Sequence, residues 1–254
     1  MAADIFDVTG KVALVTGGSK GLGKAMARAL AERGADIVIS SRHEEELRPA
    51  LEEILAGTGR KGKLLVADMN KRADVARLAK FAVDQLGKVD ILINNAGSNS
   101  PQEIDQITDD VWDRLIELNL TSVMALSRAL VPQMKARKWG RIVHISSIMG
   151  FVSKEGRDVY SATKSALLGL ARAMALDLGP FGITVNCIAP GPFLTDLPGK
   201  LLSDEEKRAF AKMTALDRWG DPKELMGPAL LMCSDAGSYV TGQTLVVDGG
   251  FIAR

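Results

Sequence analysis

The chain has few of the residues that staple or metallate a protein. Two cysteines, Cys187 and Cys233, stand among 254 residues, too few for a disulfide framework or a zinc site. There are two histidines. One of them, His144, lies within the apolar run 142–145, where a core residue is expected rather than a ligand. Excess charge is also lacking. Lys and Arg total 32 against 31 for Asp and Glu, a net charge of +1, which argues against a nucleic-acid partner. The basic cluster 135–141 sits near an expected helix end, where cations suit the dipole. Residues 1–10 contain acidic side chains and no apolar signal region. No apolar run looks long enough to span a bilayer. With no repeat and no low-complexity linker, one domain over residues 1–254 accommodates everything. The expectation is a soluble cytoplasmic protein with no metal and no membrane partner.

What is present is an alternation. Hydrophobic residues make up 46% of the chain, ample for a core. Strand-like runs lie at 11–16, 37–40, 63–67, 89–93, 141–145, 183–188 and 244–247. Helical patterns follow the first run (Ala25, Met26, Ala29, Leu30) and lie at 43–56, 71–86, 108–136, 159–178 and 222–234. Alternating β and α units imply an α/β fold, a parallel sheet covered by helices on both faces. Ligands of such sheets bind at the strand C-termini. Five loops there collect small polar residues: the glycine loop, Asp68, Asn94-Asn95-Ala96-Gly97, Ser146-Ser147, and Pro190-Gly191-Pro192-Phe193-Leu194-Thr195.

The glycine loop reads Gly17-Gly18-Ser19-Lys20-Gly21-Leu22-Gly23, between a strand and a helix. Glycines allow positive φ and close approach of a phosphate, and the helix N-terminus offers free N–H groups. A tight turn without a ligand is the alternative. In dinucleotide folds, an acidic residue about 20 positions further on binds the NAD ribose, whereas an arginine there accommodates a 2′-phosphate. Strand 2 ends without a carboxylate, in Ser41-Arg42, and Lys20 stands in the loop. These residues point to NADP, with NAD as the weaker choice. Alternatively, Arg42 merely opens a charged helix.

Tyr160 and Lys164 stand one helical turn apart, and Ser147 precedes the tyrosine by thirteen residues. A free phenol, with a pKa of about 10, is a poor acid or base at neutral pH. A neighbouring ammonium favours the phenolate, and a serine hydroxyl can orient a substrate oxygen. Together they could move a proton at a C–O group.

These motifs jointly resemble the short-chain dehydrogenase/reductase family, over about residues 8–250. The resemblance implies a single Rossmann-type, doubly wound, seven-stranded parallel sheet and a nicotinamide cofactor. It implies a catalytic tetrad of Asn119, Ser147, Tyr160 and Lys164. Tyr160 would exchange the proton, Lys164 would lower its pKa and hold the nicotinamide ribose, Ser147 would orient the substrate, and Asn119 would hold a water. Asn95, Ala96 and Gly97 would line the adenosine ribose. Asp68 and Met69 would flank the adenine, and Phe193 and Thr195 would meet the carboxamide. Family members also assemble through long helices like those at 108–136 and 159–178, so a homotetramer is expected. Met124, Ala125, Ala129 and Val131 on one, and Ala166, Leu167, Leu170, Ala173 and Met174 on the other, supply the apolar contacts.

The substrate pocket is expected from residues 98–102, 148–158 and the stretch after Pro192. Glu155-Gly156-Arg157-Asp158 resembles a polar stretch in gluconate 5-dehydrogenases, and an arginine could clamp a carboxylate. A sugar acid or polyol is the favoured small-molecule substrate. A 3-oxoacyl thioester reductase is the alternative, and a non-catalytic dinucleotide sensor is the reading from another class. Residues 194–213 look like a substrate lid, with Ser203 and Glu206 fitting a capping box.

Overall fold

The structure is a computed structural model that describes residues 4–195 and 203–253. The strand-like runs become β1 (Val12–Thr16), β2 (Asp36–Ser41), β3 (Gly62–Val66), β4 (Ile91–Asn94), β5 (Gly140–Ile145), β6 (Ile183–Pro190) and β7 (Thr244–Val247). They form one seven-stranded sheet in the order β3-β2-β1-β4-β5-β6-β7. Every pairing is parallel. The winding reverses between β1 and β4, so the ligand crevice of such a sheet opens above their C-terminal ends.

Helices cover both faces. Among the described residues they are α1 (Gly21–Glu32), α2 (Glu44–Leu55), α3 (Arg72–Leu86), α4 (Asp109–Ile116), α5 (Ser122–Arg137), α6 (Asp158–Leu178), α7 (Asp204–Lys212) and α8 (Met226–Cys233). Alternate strand residues face opposite layers. Leu14, Val38, Leu92, Ile142 and Val185 meet Leu78 of α3, Leu126 and Leu130 of α5 and Leu167 of α6. Ala13, Val15, Ile37, Ile39, Ile91 and Val143 meet Met26 and Leu30 of α1, Leu47 of α2 and Ala229 of α8. Each large side chain so buried contributes roughly 1.5–3 kcal/mol. This is why the central strands read as continuous apolar runs rather than as alternations.

The helix expected over 108–136 is interrupted. A π-helical turn, Glu117–Thr121, joins α4 to α5 and carries Asn119. The Ser122 and Ser127 hydroxyls donate to the carbonyls of Leu118 and Val123, at 2.6 and 2.7 Å. Such back-bonding bends helices, and π turns recur at functional sites. The whole rod, Asp109–Arg137, is long and apolar enough to cross a membrane by length and composition. The expectation that no run reaches that length is therefore corrected. Here Leu126, Leu130 and Met134 of the rod are buried in the core beside the sheet.

The helix expected over 222–234 also divides, into a 3-10 turn at Pro222–Leu225 and then α8. Pro228 has no N–H to offer the Glu224 carbonyl, so one continuous helix loses a bond there. β4 begins later than expected because Asp90 is a buried anchor. Its carboxylate accepts the Val12 N–H at 2.9 Å and meets Lys88 and Arg137. In the expected lid, residues 196–202, with Pro198 and Gly199, lie outside the described residues. The Ser203–Glu206 capping box does form at the start of α7.

Candidate active site

A cavity of about 300 Å³ opens above the strand ends. It is lined by Leu22 of the glycine loop, Asn95, Gly97 and Ser98 after β4, Ser147 after β5, Tyr160 and Lys164 of α6, and Pro190, Gly191, Phe193 and Thr195 after β6. Cavities of about 370 and 550 Å³ lie elsewhere, around Arg33 and beside α1, and include none of the tetrad. Parallel strands with right-handed crossovers bring these distant segments to one edge.

α6 places Tyr160 and Lys164 in its first two turns. Lys164 is buried, and its ammonium donates to the Ile145 carbonyl at 2.8 Å. It lies 5.5 Å from the centre of the Tyr160 ring. Burial pulls the amine from its ordinary 10.5 down to about 8, against a small opposing effect of the Cys187 thiol. The phenol behaves differently from expectation. Burial raises the Tyr160 pKa, while a hydrogen bond with Ser147 and the Arg157 charge pull the other way. Lys164 reaches past the ring to a backbone carbonyl, and desolvation of the phenolate prevails over the Ser147 hydrogen bond and the Arg157 charge. The Ser147 hydroxyl also accepts the Met149 N–H at 3.1 Å, which fixes the turn carrying it.

Asn119 is buried in the π turn. Its amide clamps Ser98 from both sides. The carbonyl oxygen accepts the Ser98 N–H and the NH₂ donates to the Ser98 carbonyl, each at 2.9 Å, with a further bond to Thr163 at 3.2 Å. Thr163 in turn donates to the Tyr160 carbonyl. Asn119 therefore ties the loop after β4 to the turn of α6 that carries the tyrosine. Its side chain is a clamp in this structure. Ser146, buried beside Ser147, donates to the Lys164 carbonyl at 2.8 Å and holds the same helix from below.

The glycine loop is built against Asn95. The Asn95 amide donates to the Thr16 and Gly17 carbonyls at 2.9 and 3.1 Å. The Thr16 hydroxyl accepts the N–H groups of Asn95 and Ala96, both at 3.0 Å. Gly17 has a φ of +63°, and a Cβ at Gly23 would lie 2.3 Å from the Gly17 oxygen. The loop can pass that close to α1 only without side chains. A Cβ at Gly21 would stand 3.2 Å from Thr195, so the loop after β6 closes over this one.

Ser19, Lys20, Ser41, Arg42, Asp68 and Met69 lie along the same sheet edge but outside this cavity. Arg42 is exposed, and the Ser41 hydroxyl donates to the His43 carbonyl at 3.3 Å. Asp68 accepts the Asn70 N–H at 3.0 Å, a turn-capping contact, and Met69 is buried in the core. A carboxylate does stand at this edge, brought by α2. Glu46 accepts from the Ser19 hydroxyl at 3.2 Å and pairs with Lys20 at 3.0 Å. The sequence reading passed over it because it is neither in the loop nor at the end of β2. An anion at Ser19 and Lys20, above a glycine loop at a helix N-terminus, is what a phosphate-bearing dinucleotide would present there.

His144 is a core residue, as expected. Burial lowers its pKa to about 4, and its Nδ1 lies 3.1 Å from the Asn94 amide nitrogen. Both cysteines are buried and free, their thiols pushed up to about 12 by burial.

Residues 11–206 match the family model described as short chain dehydrogenase. The chain belongs to the short-chain dehydrogenase/reductase family. It is 38% identical to the 2-dehydro-3-deoxy-D-gluconate 5-dehydrogenase of Dickeya dadantii over 256 aligned positions, covering all of both chains. It is 36% identical to the 3-oxoacyl acyl-carrier-protein reductase of Vibrio cholerae, over 96% of this chain and 98% of that one. Among solved structures it superimposes on the gluconate 5-dehydrogenase of Burkholderia cenocepacia in complex with NADP and tartrate. The TM-score is 0.92 and the identity 34%, over 99% of this chain and 98% of the other. As a member of this family the protein is an oxidoreductase acting on CH–OH groups with a nicotinamide dinucleotide.

Proposed function

We propose that this short-chain dehydrogenase/reductase interconverts a small, hydroxylated, anionic ketone and its alcohol, with NADP(H) preferred over NAD(H). The observation that carries the substrate reading is Arg157. It stands at the N-cap position of α6, three residues before Tyr160, and its charge acts on the phenol. A carboxylate held there would place the rest of a short sugar acid beside Tyr160. A dinucleotide held by the glycine loop and the residues after β4 and β6 would supply or take the hydride at the reacting carbon. Tyr160 gives its phenolic proton to the carbonyl oxygen in reduction and recovers it in oxidation. Ser147, hydrogen-bonded to that phenol, orients the same oxygen. Lys164, one turn below, supplies the positive charge that a phenolate would need, and Asn119 keeps Ser98 and α6 in register around them. Lys20 and Arg42 are the cations for a 2′-phosphate.

Residues 194–213 are proposed as the lid. α7 is pinned near the site, with the Trp219 indole donating to the Lys207 carbonyl at 2.8 Å and Lys154 lying over the Phe210 ring at 4.8 Å. We assign the chain to one catalytic domain that works in the cytoplasm as a homotetramer. Of the expected contact residues, Leu167 is taken up by the core, whereas Ala129 is exposed.

A specific observation favours a second reading, reduction of a 3-oxoacyl thioester. Phe151, Val152, Leu194 and Met213 are exposed apolar residues in the segments expected to form the pocket. Oxidation of NADPH and NADH is followed against keto-sugar acids, keto-polyols and acetoacetyl thioesters. Turnover confined to the sugar acids supports the first reading. Turnover confined to thioesters replaces it with the second.

A further inference from the structure

Glu46 stands third in α2, and its carboxylate is one-third exposed. It leaves its own helix to hold the glycine loop, taking the Ser19 hydroxyl at 3.2 Å and the Lys20 ammonium at 3.0 Å. Lys20 is the cation of that loop and is itself largely exposed. Arg42, the other cation of this corner, is exposed as well. His43, on the near side, pairs with Glu45 at 3.5 Å. An anion entering the corner to use Lys20 must therefore compete with Glu46, which in either case remains as a nearby like charge.

We infer that Glu46 is a built-in competitor for the 2′-phosphate subsite and sets how strongly the enzyme discriminates NADP(H) from NAD(H). When the adenosine ribose carries no phosphate, Glu46 keeps Ser19 and Lys20 satisfied. When it carries one, the phosphate takes Lys20 and Glu46 loses its partner. The carboxylate thus weakens 2′-phosphate binding and leaves the unphosphorylated cofactor untouched. It is a specificity-determining residue outside the reacting centre. The inference rests on the dinucleotide reading of the site.

A purely structural Glu46 would do the opposite. A carboxylate in the first turn of a helix is favourable, and its pair with Lys20 holds the loop in place. Losing it would loosen the subsite and weaken every nucleotide.

The experiment is calorimetric titration of wild type and Glu46→Gln with adenosine 2′,5′-bisphosphate and with 5′-AMP, without substrate or turnover. Glutamine keeps the length and one acceptor oxygen, replaces the other with an NH₂ donor, and removes the charge. The ratio of the two affinities is expected to shift toward the bisphosphate by about fivefold, the upper range for one exposed charge pair. If Glu46→Gln fails to fold, Glu46→Ala carries the same expectation. An unchanged ratio, or weaker bisphosphate binding, overturns the inference while leaving the cofactor assignment intact, provided wild type quenches NADPH or NADH fluorescence on binding. If wild type binds neither reduced dinucleotide, the site reading itself fails and takes the inference with it.

Discussion

Replacing Lys164 with methionine removes a charge from a place that water barely reaches, since only 4% of the lysine is exposed. An amine whose pKa falls on folding binds fewer protons folded than unfolded. Its contribution to stability is present above the unfolded value of 10.5 and is lost as pH falls through the folded value of about 8. Integrating that linkage between pH 7 and pH 9.5 gives wild type a gain of about 2 kcal/mol that a methionine variant cannot share. The variant also leaves the Ile145 carbonyl without its donor, a loss of roughly 1–3 kcal/mol. That loss offsets the gain from removing the charge and is the same at both pH values. The assay is urea unfolding of both cofactor-free proteins at pH 7 and 9.5. The stability difference should move in favour of wild type by about 2 kcal/mol as pH rises. At pH 7 the variant should be similar to wild type in stability and should lose turnover. A difference that stays flat with pH would mean that Lys164 titrates like an exposed lysine, and the buried-charge reasoning would fall.

Tyr160→Phe should remove turnover by at least about 100-fold, the lower range for a lost acid–base group, while NADPH quenching curves stay superimposable; full activity would refute the proton role. Gly23→Ala should not be tolerated quietly, because its Cβ would meet the Gly17 oxygen at 2.3 Å. A loss of roughly 1–3 kcal/mol, the range for overpacking, together with weakened nucleotide binding, is expected by thermal melting and titration. Wild-type values in both would contradict the loop geometry. Arg42→Glu should weaken NADPH far more than NADH in fluorescence titration, and equal losses would remove it from the 2′-phosphate site.

The sequence alone determined the fold class and pointed to the sheet edge where Ser147, Tyr160 and Lys164 come together around one cavity. Those signals are local. Strand and helix periods, the glycine loop between them and the one-turn spacing of Tyr160 and Lys164 each sit within a few residues of chain. Tertiary structure decided the rest, because it depends on which distant groups meet. Nothing near Asn119 in sequence shows that its amide closes on Ser98, and nothing near Lys164 shows that its ammonium ends on the Ile145 carbonyl. The Tyr160 pKa went against the local expectation for the same reason. Neighbour spacing measures a charge, whereas only the folded chain measures how little water surrounds the phenol. Glu46 is the sharpest instance. It lies 26 residues from Lys20, in what reads as a plain acidic helix start, and only the packing of α2 beside the glycine loop turns it toward the cofactor corner.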